Sequence, residues 1–599
     1  MAILEKIKQG NHIYLRIVES YRTPAGPRKR VIHNLGNINQ YDDGKPDLFE
    51  RLKKRHERGE VFYETKPVKA KTRLLLDDDD LYLNPKNLGY LFLEAVYETL
   101  GLHKITAGIK SKTKLTFDLD GLTRLLVYGR ILDPESKSKT FRDQKNNYHH
   151  AIVDSEEVKH IFRALDYLSP HGEDIQKTMF KNSRLMVERE TDLVYYDLTN
   201  YYFEILQNDP DTIDEHENTI DPGIRKRGVS KENRRNPLVQ MGLFVDRKGI
   251  PISYRIHPGN IQDKSTLRLA MDKGLKTYGI KRLVIVADRG INTKANLEHI
   301  LEQGHGYVVS KSIKGAPKDF REWVTDEEGY AHLPGEKTFK VKSKTETRTV
   351  VINGASEEIK EKTVVYFSQK HYEQALKANR SFREYLESVE KNPDKLKDQE
   401  KNTVKFLKRT YIDKKTGQPV NVKIKYDLDR AKIEKQMELL GYYAIVTSET
   451  HLLDREIIGI YHGLSQIEDA FRVIKSSFDG RPVYVRTKDH IDAHFLICFI
   501  ALLILRIIQA KIKESDRVPD KEKLWETGLS VERIVKALNS YQSDKVGSKY
   551  KVTFPEGDLK TIMEAFGSYE VLTLPEQYDI IQLAKAIKKG IILQKKKGD

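Results

Sequence analysis

The chain has 599 residues, 39% hydrophobic and 32% charged, with a formal net charge of +16 and a pI near 9.2. That length suggests about three to five domains with sizeable cores, and one cysteine excludes a disulfide-stapled scaffold or a Cys-based zinc site. A basic excess of this size points to a polyanion as partner, with nucleic acid favoured over a merely lysine-rich surface.

The start, MAILEKIKQGNHIYL, has no apolar signal-peptide core, which fits a cytoplasmic protein. Residues 1–78 are mixed and basic, and RTPAGPRKRVIHNLGN reads as strand, turn and strand with PAGP as the turn. Residues 79–190 carry helical periodicity, as in NPKNLGYLFLEAVYETLGL and VKHIFRALDYLSPHGEDIQKTMF. His149 and His150 have no matching ligand cluster and read as surface.

From 191 to 312 the character changes. DLVYYDLTNYYFE is a strand, and NPLVQMGLFVD with IPISYRIHPG forms a hairpin across Arg247–Gly249. KSTLRLAMDKGLKTYG is a helix, with Asp263 as a candidate N-cap and a minor candidate metal ligand. KRLVIVADRG is apolar on both faces, as a central strand covered on both sides should be. TKANLEHILEQG is a helix stopped at Gly304, and GYVVSKS is a short strand. The order is antiparallel strands first, then parallel strands joined by helices.

Residues 313–438 break this pattern with polar alternating strands, a charged helix and a second hairpin, and read as a β-rich insertion in an α/β core. Core composition returns over 439–512 with GYYAIVTSE. YHGLSQIEDAFRVIK, Tyr461 to Lys475, reads as one continuous helix. Ile467, Ala470, Phe471 and Ile474 form its buried face, while Tyr461, Leu464, Glu468 and Lys475 share a second face and Asp469 points to solvent. HFLICFIALLILRIIQ, with Cys498 as a buried structural thiol, is too short and too flanked by charge for a membrane span and reads as a buried core helix. Residues 513–599 are charged and mostly helical, and the basic end LQKKKGD reads as disordered.

Three acids stand out. Asp197 lies within the first core strand, Asp288 ends the central strand, and Glu468 lies on the late helix. Carboxylates gathered in one place repel one another unless a cation lies between them, and all-oxygen ligation suits Mg²⁺, with Mn²⁺ as substitute. A lone strand-end Asp more often caps a turn; the set carries the weight. The basic run RKRGVSKENRR, which includes Arg225, Lys226, Arg227, Arg234 and Arg235, is either a solvated loop or a grip on the DNA backbone. No phosphate-binding glycine loop precedes a helix, so a nucleotide-driven motor has no support.

These motifs resemble the DDE transposases of bacterial insertion sequences, in the IS4-like group and its IS1634 branch. The second acid stands in a D-x-G context, here Asp288-Arg289-Gly290. The third stands in Y-x2-R-x3-E-x6-K, matched here by Tyr461, Glu468 and Lys475, with Leu464 at the Arg position. His462, Gln466 and Arg472 are candidates to take over that arginine's role. The resemblance spans roughly 190–510. It implies an RNase H-like mixed-sheet core, interrupted by a β-rich insertion and flanked by a helical N-terminal region and a mostly helical C-terminal tail.

It further implies metal-dependent cleavage and strand transfer at the inverted ends of an insertion sequence. The catalytic and metal-holding residues would be Asp197, Asp288 and Glu468, with two Mg²⁺ ions. DNA contacts would come from Tyr461, Lys475, Arg472, the basic run, and Trp323 stacking on a base. The partners would be duplex DNA at the terminal inverted repeats and at the target, and a second copy in a synaptic dimer at the bacterial nucleoid, with residues 1–78 touching the DNA ends, the helical region 79–190 binding DNA and 513–599 serving dimerisation. The alternatives are an RNase H-like nuclease that only hydrolyses, and a DNA-binding derivative that has lost catalysis.

Overall fold

The computed structural model describes residues 2–593 apart from 61–83, 392–406, 413–422, 516–527 and a few shorter stretches. It divides into two compact units, Met1–Tyr82 and Leu83–Asp599. The first unit is a three-stranded antiparallel sheet of Ala2–Gln9, His12–Thr23 and Gly26–Asn37. Alternation turns Leu4, Leu15, Ile17 and Leu35 to one face, where Leu52 of the helix Leu48–Glu57 covers them. The expected strand–turn–strand is the second hairpin of this sheet; the middle of its turn, and residues beyond 60 of the expected 1–78 region, fall outside the described residues.

In the second unit, six helices occupy the stretch from Tyr90 to Ser183, as the periodicity predicts. A nine-stranded sheet follows, made of β1 (Leu193–Tyr202), β2 (Leu238–Asp246), β3 (Pro251–Pro258), β4 (Val284–Ala287), β5 (Gly306–Lys311), β6 (Ala331–Leu333), β7 (Glu336–Ile352), β8 (Ala355–Ser368) and β9 (Tyr442–Thr447). Its spatial order is β6-β7-β8-β9-β5-β4-β1-β2-β3. β1 is antiparallel to β2, and β2 to β3, while β1, β4 and β5 run parallel. The parallel links pass through helices α1 (Asp263–Gly274) and α2 (Lys294–Glu302), as a crossover requires.

β1 is covered on both faces. Val194, Tyr196 and Leu198 join the core under α1 and α2, while Leu193, Tyr195 and Tyr201 join the core on the other side. That other side is built around helix α5 (Lys488–Glu514), whose 27 residues run through the unit. The apolar stretch is longer than its sequence suggests and reaches membrane-spanning length and hydropathy, but 89% of its most apolar window is buried inside the protein. It is a core helix, and Cys498 is buried in it.

The stretch expected to be a separate insertion does not make a sheet of its own. β7 and β8 form a long hairpin through Asn353 and Gly354, both at positive φ, and β8 pairs with β9, so the hairpin extends the main sheet. Among the described residues of this stretch, Leu407–Ile412 and Lys423–Leu428 pair apart from it, with their turn outside the described residues. The tail carries helices Val531–Ser540, Gly557–Ala565 and Gln577–Ile591. Its basic end lies outside the described residues from Gln594 on. His149 is not simply surface: its ring nitrogens bond Ser543 at 2.7 Å and Gln577 at 3.2 Å, fastening the tail to the helical region.

One buried ion pair fastens the helices to the sheet. Arg189, just before β1, reaches Asp246 at the end of β2 at 2.5 Å, with neither side chain exposed. Asp246 also accepts from the amides of Lys248 and Ile250 and so fixes the β2–β3 turn. Arg189→Met leaves that carboxylate buried and unpaired; we expect a loss of about 3–5 kcal/mol, read as a lowered melting temperature, and an unchanged melting curve contradicts it.

Candidate active site

Asp197 lies in the middle of β1, on the face shared with Tyr195 and Tyr201. Above this face the chain does not continue as one helix. It forms α3 (Asp454–His462) and then α4 (Ser465–Arg472), joined by a tight turn at Gly463 and Leu464. The amides of Leu464 and Gln466 reach back only three residues, to Tyr461 and Gly463. A Cβ on Gly463 would lie 1.9 Å from the Tyr195 hydroxyl, so only glycine lets this turn approach β1. Leu464, where the family motif has arginine, packs against the core instead of facing a ligand. Beyond α4 the chain widens into a π-turn over Val473–Ser477, which carries Lys475 away from the azimuth a straight helix would give it.

Asp288 follows β4 directly, and the parallel register places Ser310 of β5 next to it. Its Oδ1 accepts from the Arg289 amide at 2.7 Å, the Ser310 hydroxyl at 2.9 Å and the Tyr461 hydroxyl at 3.3 Å. Burial, together with the charges of Asp288 and Glu468, pushes the Tyr461 phenol up to about 12. Tyr461 therefore bonds the second acid and feels the charge of the third. Asp197 feels both: burial first, then the charges of Asp288 and Glu468, raise its carboxyl to about 6, against the pull of Lys231 and the Leu198 amide. Asp288 and Glu468 are exposed, so the group opens to solvent on their side.

The structure thus brings Asp288, at the end of β4, and Glu468, on α4, within electrostatic reach of Asp197 on β1. Among the described residues no three His, Cys, Asp or Glu side chains close into a ready cation cage. The donor set nevertheless fits a hard divalent cation, being all oxygen and short of compensating positive charge.

The predicted DNA contacts are placed differently. Lys475 pairs with Glu232 at 3.2 Å and lies 5.5 Å from the Tyr201 ring centre. Arg472 is engaged by Asp469 and by Glu532. Asp469 does not point to solvent, because it also holds the buried Arg506 of α5 at 2.6 Å. Of the basic run, Arg225 is bound to Asp209, Lys226 to Asp211, Arg227 to the Leu206 carbonyl and Arg234 to Glu204, while Arg235 is exposed. Trp323 is half-buried beside Phe320, under the ammonium groups of Lys342 and Lys344. His462 bonds Tyr366 at 3.1 Å. The Gln466 side chain packs against the Gly249 turn. Helix α1 begins at Asp263, whose side chain is outside the described residues. Sequence reasoning missed Ser310, Lys231, Glu232 and Arg481. Ser310 becomes visible only once β4 and β5 are known to pair, and Glu232 had one signal, as the single acid in the basic run.

Residues 213–504 match the family model of the transposase DDE domain, and residues 4–65 match that of the N-terminal domain of IS1634 family transposases. The first match contains Asp288 and Glu468 and begins after Asp197. The two matches together show that the chain belongs to the DDE transposases of the IS1634 family. As such it is an enzyme that cuts and transfers DNA strands, and enzymes of this class use divalent metal ions. Among solved structures it is similar to the cryo-EM structure of a piggyBac transposase synaptic complex with hairpin DNA, at a TM-score of 0.33 and 9% identity, over 86% of this chain and 89% of that one. No curated protein matches the chain.

A carboxyl raised in the fold binds more protons folded than unfolded, so its ionisation costs stability as pH rises from about 4 to about 6. Asp197→Asn removes that cost. We expect the metal-free variant to melt higher than the parent by the equivalent of about 1–2 kcal/mol above pH 6, and the gain to shrink towards pH 4. A variant that is less stable at neutral pH contradicts this. Gly463→Ala should instead displace the turn from Tyr195 and cut strand cleavage at least about tenfold, since small misplacements of catalytic groups are costly.

Proposed function

We propose that Asp197, Asp288 and Glu468 are the catalytic acids of a transposase that cleaves the inverted ends of its own insertion sequence and joins them to target DNA. The observation carrying this reading is that three carboxylates from separate elements lie close enough for Asp288 and Glu468 to raise the Asp197 carboxyl. A strand order of β5-β4-β1-β2-β3, with β3 and β2 antiparallel and β1, β4 and β5 parallel, supports an RNase H-like core.

The residues divide the work. The three carboxylates hold the cation site, which we assign to two Mg²⁺ ions, with Mn²⁺ as substitute. Bound there, divalent cations supply Lewis acidity and charge neutralisation at the phosphodiester. The hydroxyls of Tyr461 and Ser310 fix one oxygen of Asp288, leaving the other to face the substrate. Lys475 neutralises a DNA phosphate. Because the acids serve water and a 3′-hydroxyl alike, one site performs both hydrolysis and strand transfer, and no covalent protein–DNA link is needed. Two ends must be cut together, so a dimer is the working species.

Asp288→Asn tests this. Nicking and strand transfer on paired terminal-repeat duplexes in Mg²⁺ should fall by at least about a thousandfold, while binding to the same DNA remains within about threefold. Undiminished nicking sinks the assignment. Nicked product without joined product, from the parent protein given plasmid target, marks a hydrolysis-only nuclease.

A further inference from the structure

The loop between β1 and β2 is strapped onto β1 beside Asp197, and one residue in it is anomalous. Glu232 is the single acid among the six basic residues of Arg225–Arg235, and its Oε1 takes two cations at once, Arg481 at 2.6 Å and Lys475 at 3.2 Å. Those partners come from two different places, the π-turn after α4 and the segment leading to α5. The neighbouring Lys231 donates to the Leu198 carbonyl at 2.7 Å and acts on the charge of Asp197.

The strap is anchored just before this pair. The buried side-chain amide of Asn200 donates to the Val229 carbonyl at 2.9 Å. Gly228 lies so close to Gly259 that a Cβ would sit 1.8 Å from its carbonyl oxygen. Ser230 accepts from the amides of Glu232 and Arg234 and shapes the turn. Glu232 is thereby held in place by well-fixed backbone, with its carboxylate offered to Lys475 and Arg481.

Two cations converging on one oxyanion, held by the residue next to Lys231 and so near Asp197, form a seat for a phosphodiester oxygen. We propose that Lys475 and Arg481 are that seat, and that Glu232 fills it as a phosphate surrogate until a DNA phosphate displaces it. The inference rests on the transposase reading and adds to it Arg481 as a DNA ligand and Glu232 as an internal competitor. The competitor suppresses engagement of DNA that offers too few other contacts to displace it.

The test is binding of the full-length protein to a terminal-repeat duplex and to an unrelated duplex in EDTA, so that no chemistry is involved. Glu232→Gln should tighten both about five- to tenfold, with the larger gain on unrelated DNA. Glu204→Gln, which removes a similar charge from the Arg234 pair, should change affinity less than about twofold. In the background of Arg481→Gln and Lys475→Gln, Glu232→Gln should bring no further gain. Equal effects of Glu232→Gln and Glu204→Gln, or none from Glu232→Gln, overturn the competitor. If Glu232→Gln melts below the assay temperature, Glu232→Asp, which keeps the charge and shortens the reach, serves in its place, with a smaller gain expected and no gain overturning the proposal. A parent protein that binds neither duplex refutes the transposase reading itself and is distinct from either result.

Discussion

Bringing like charges together is the constraint around which this unit is organised. A carboxylate in the middle of a buried strand is costly, and two more from other elements add repulsion to desolvation. Folding tolerates this because the strain is spread over rigid supports. β1 is sandwiched between two cores, Asp288 is held by an amide and two hydroxyls, and the Glu468 turn is pressed onto Tyr195 at a glycine. Stability not needed elsewhere in so large a core offsets a site that is unfavourable until positive charge arrives.

Much of this was legible in the chain. Period-two patterns located the strands of the core, the both-faces apolar run of KRLVIVADRG marked a central strand, and the three acids could be named before any neighbour was known. The rest depends on contacts that local pattern does not encode. Periodicity treats Tyr461–Lys475 as one helix because Gly463 is tolerated in a helix; only the approach of Tyr195 reveals the turn. The strands after residue 313 are polar and alternating over most of their length, as a separate domain would be, yet β8 ends in the apolar run Val364–Tyr366, which pairs with β9 and shares its cores.

The net charge also proves a poor map of the DNA-binding surface. Most of the predicted basic contacts are paired within the protein, and several lysines of β7 lie over aromatic rings: Lys340 near Tyr330, Lys342 and Lys344 near Trp323. Such cation–π contacts stiffen a polar hairpin that has little apolar area of its own. The charge that signals a polyanionic partner is thus partly structural.

The ends of the great sheet have a consequence for how copies of the chain meet. One outer strand, β3, opens and closes with proline, at Pro251 and Pro258, and the other, β6, is three residues long. Proline lacks a donor, and so short a strand offers few. A neighbouring strand therefore finds few free donors at either edge, which disfavours continuation of the sheet from one molecule into the next. Contacts through side chains are selective about geometry in a way that strand-to-strand stacking is not.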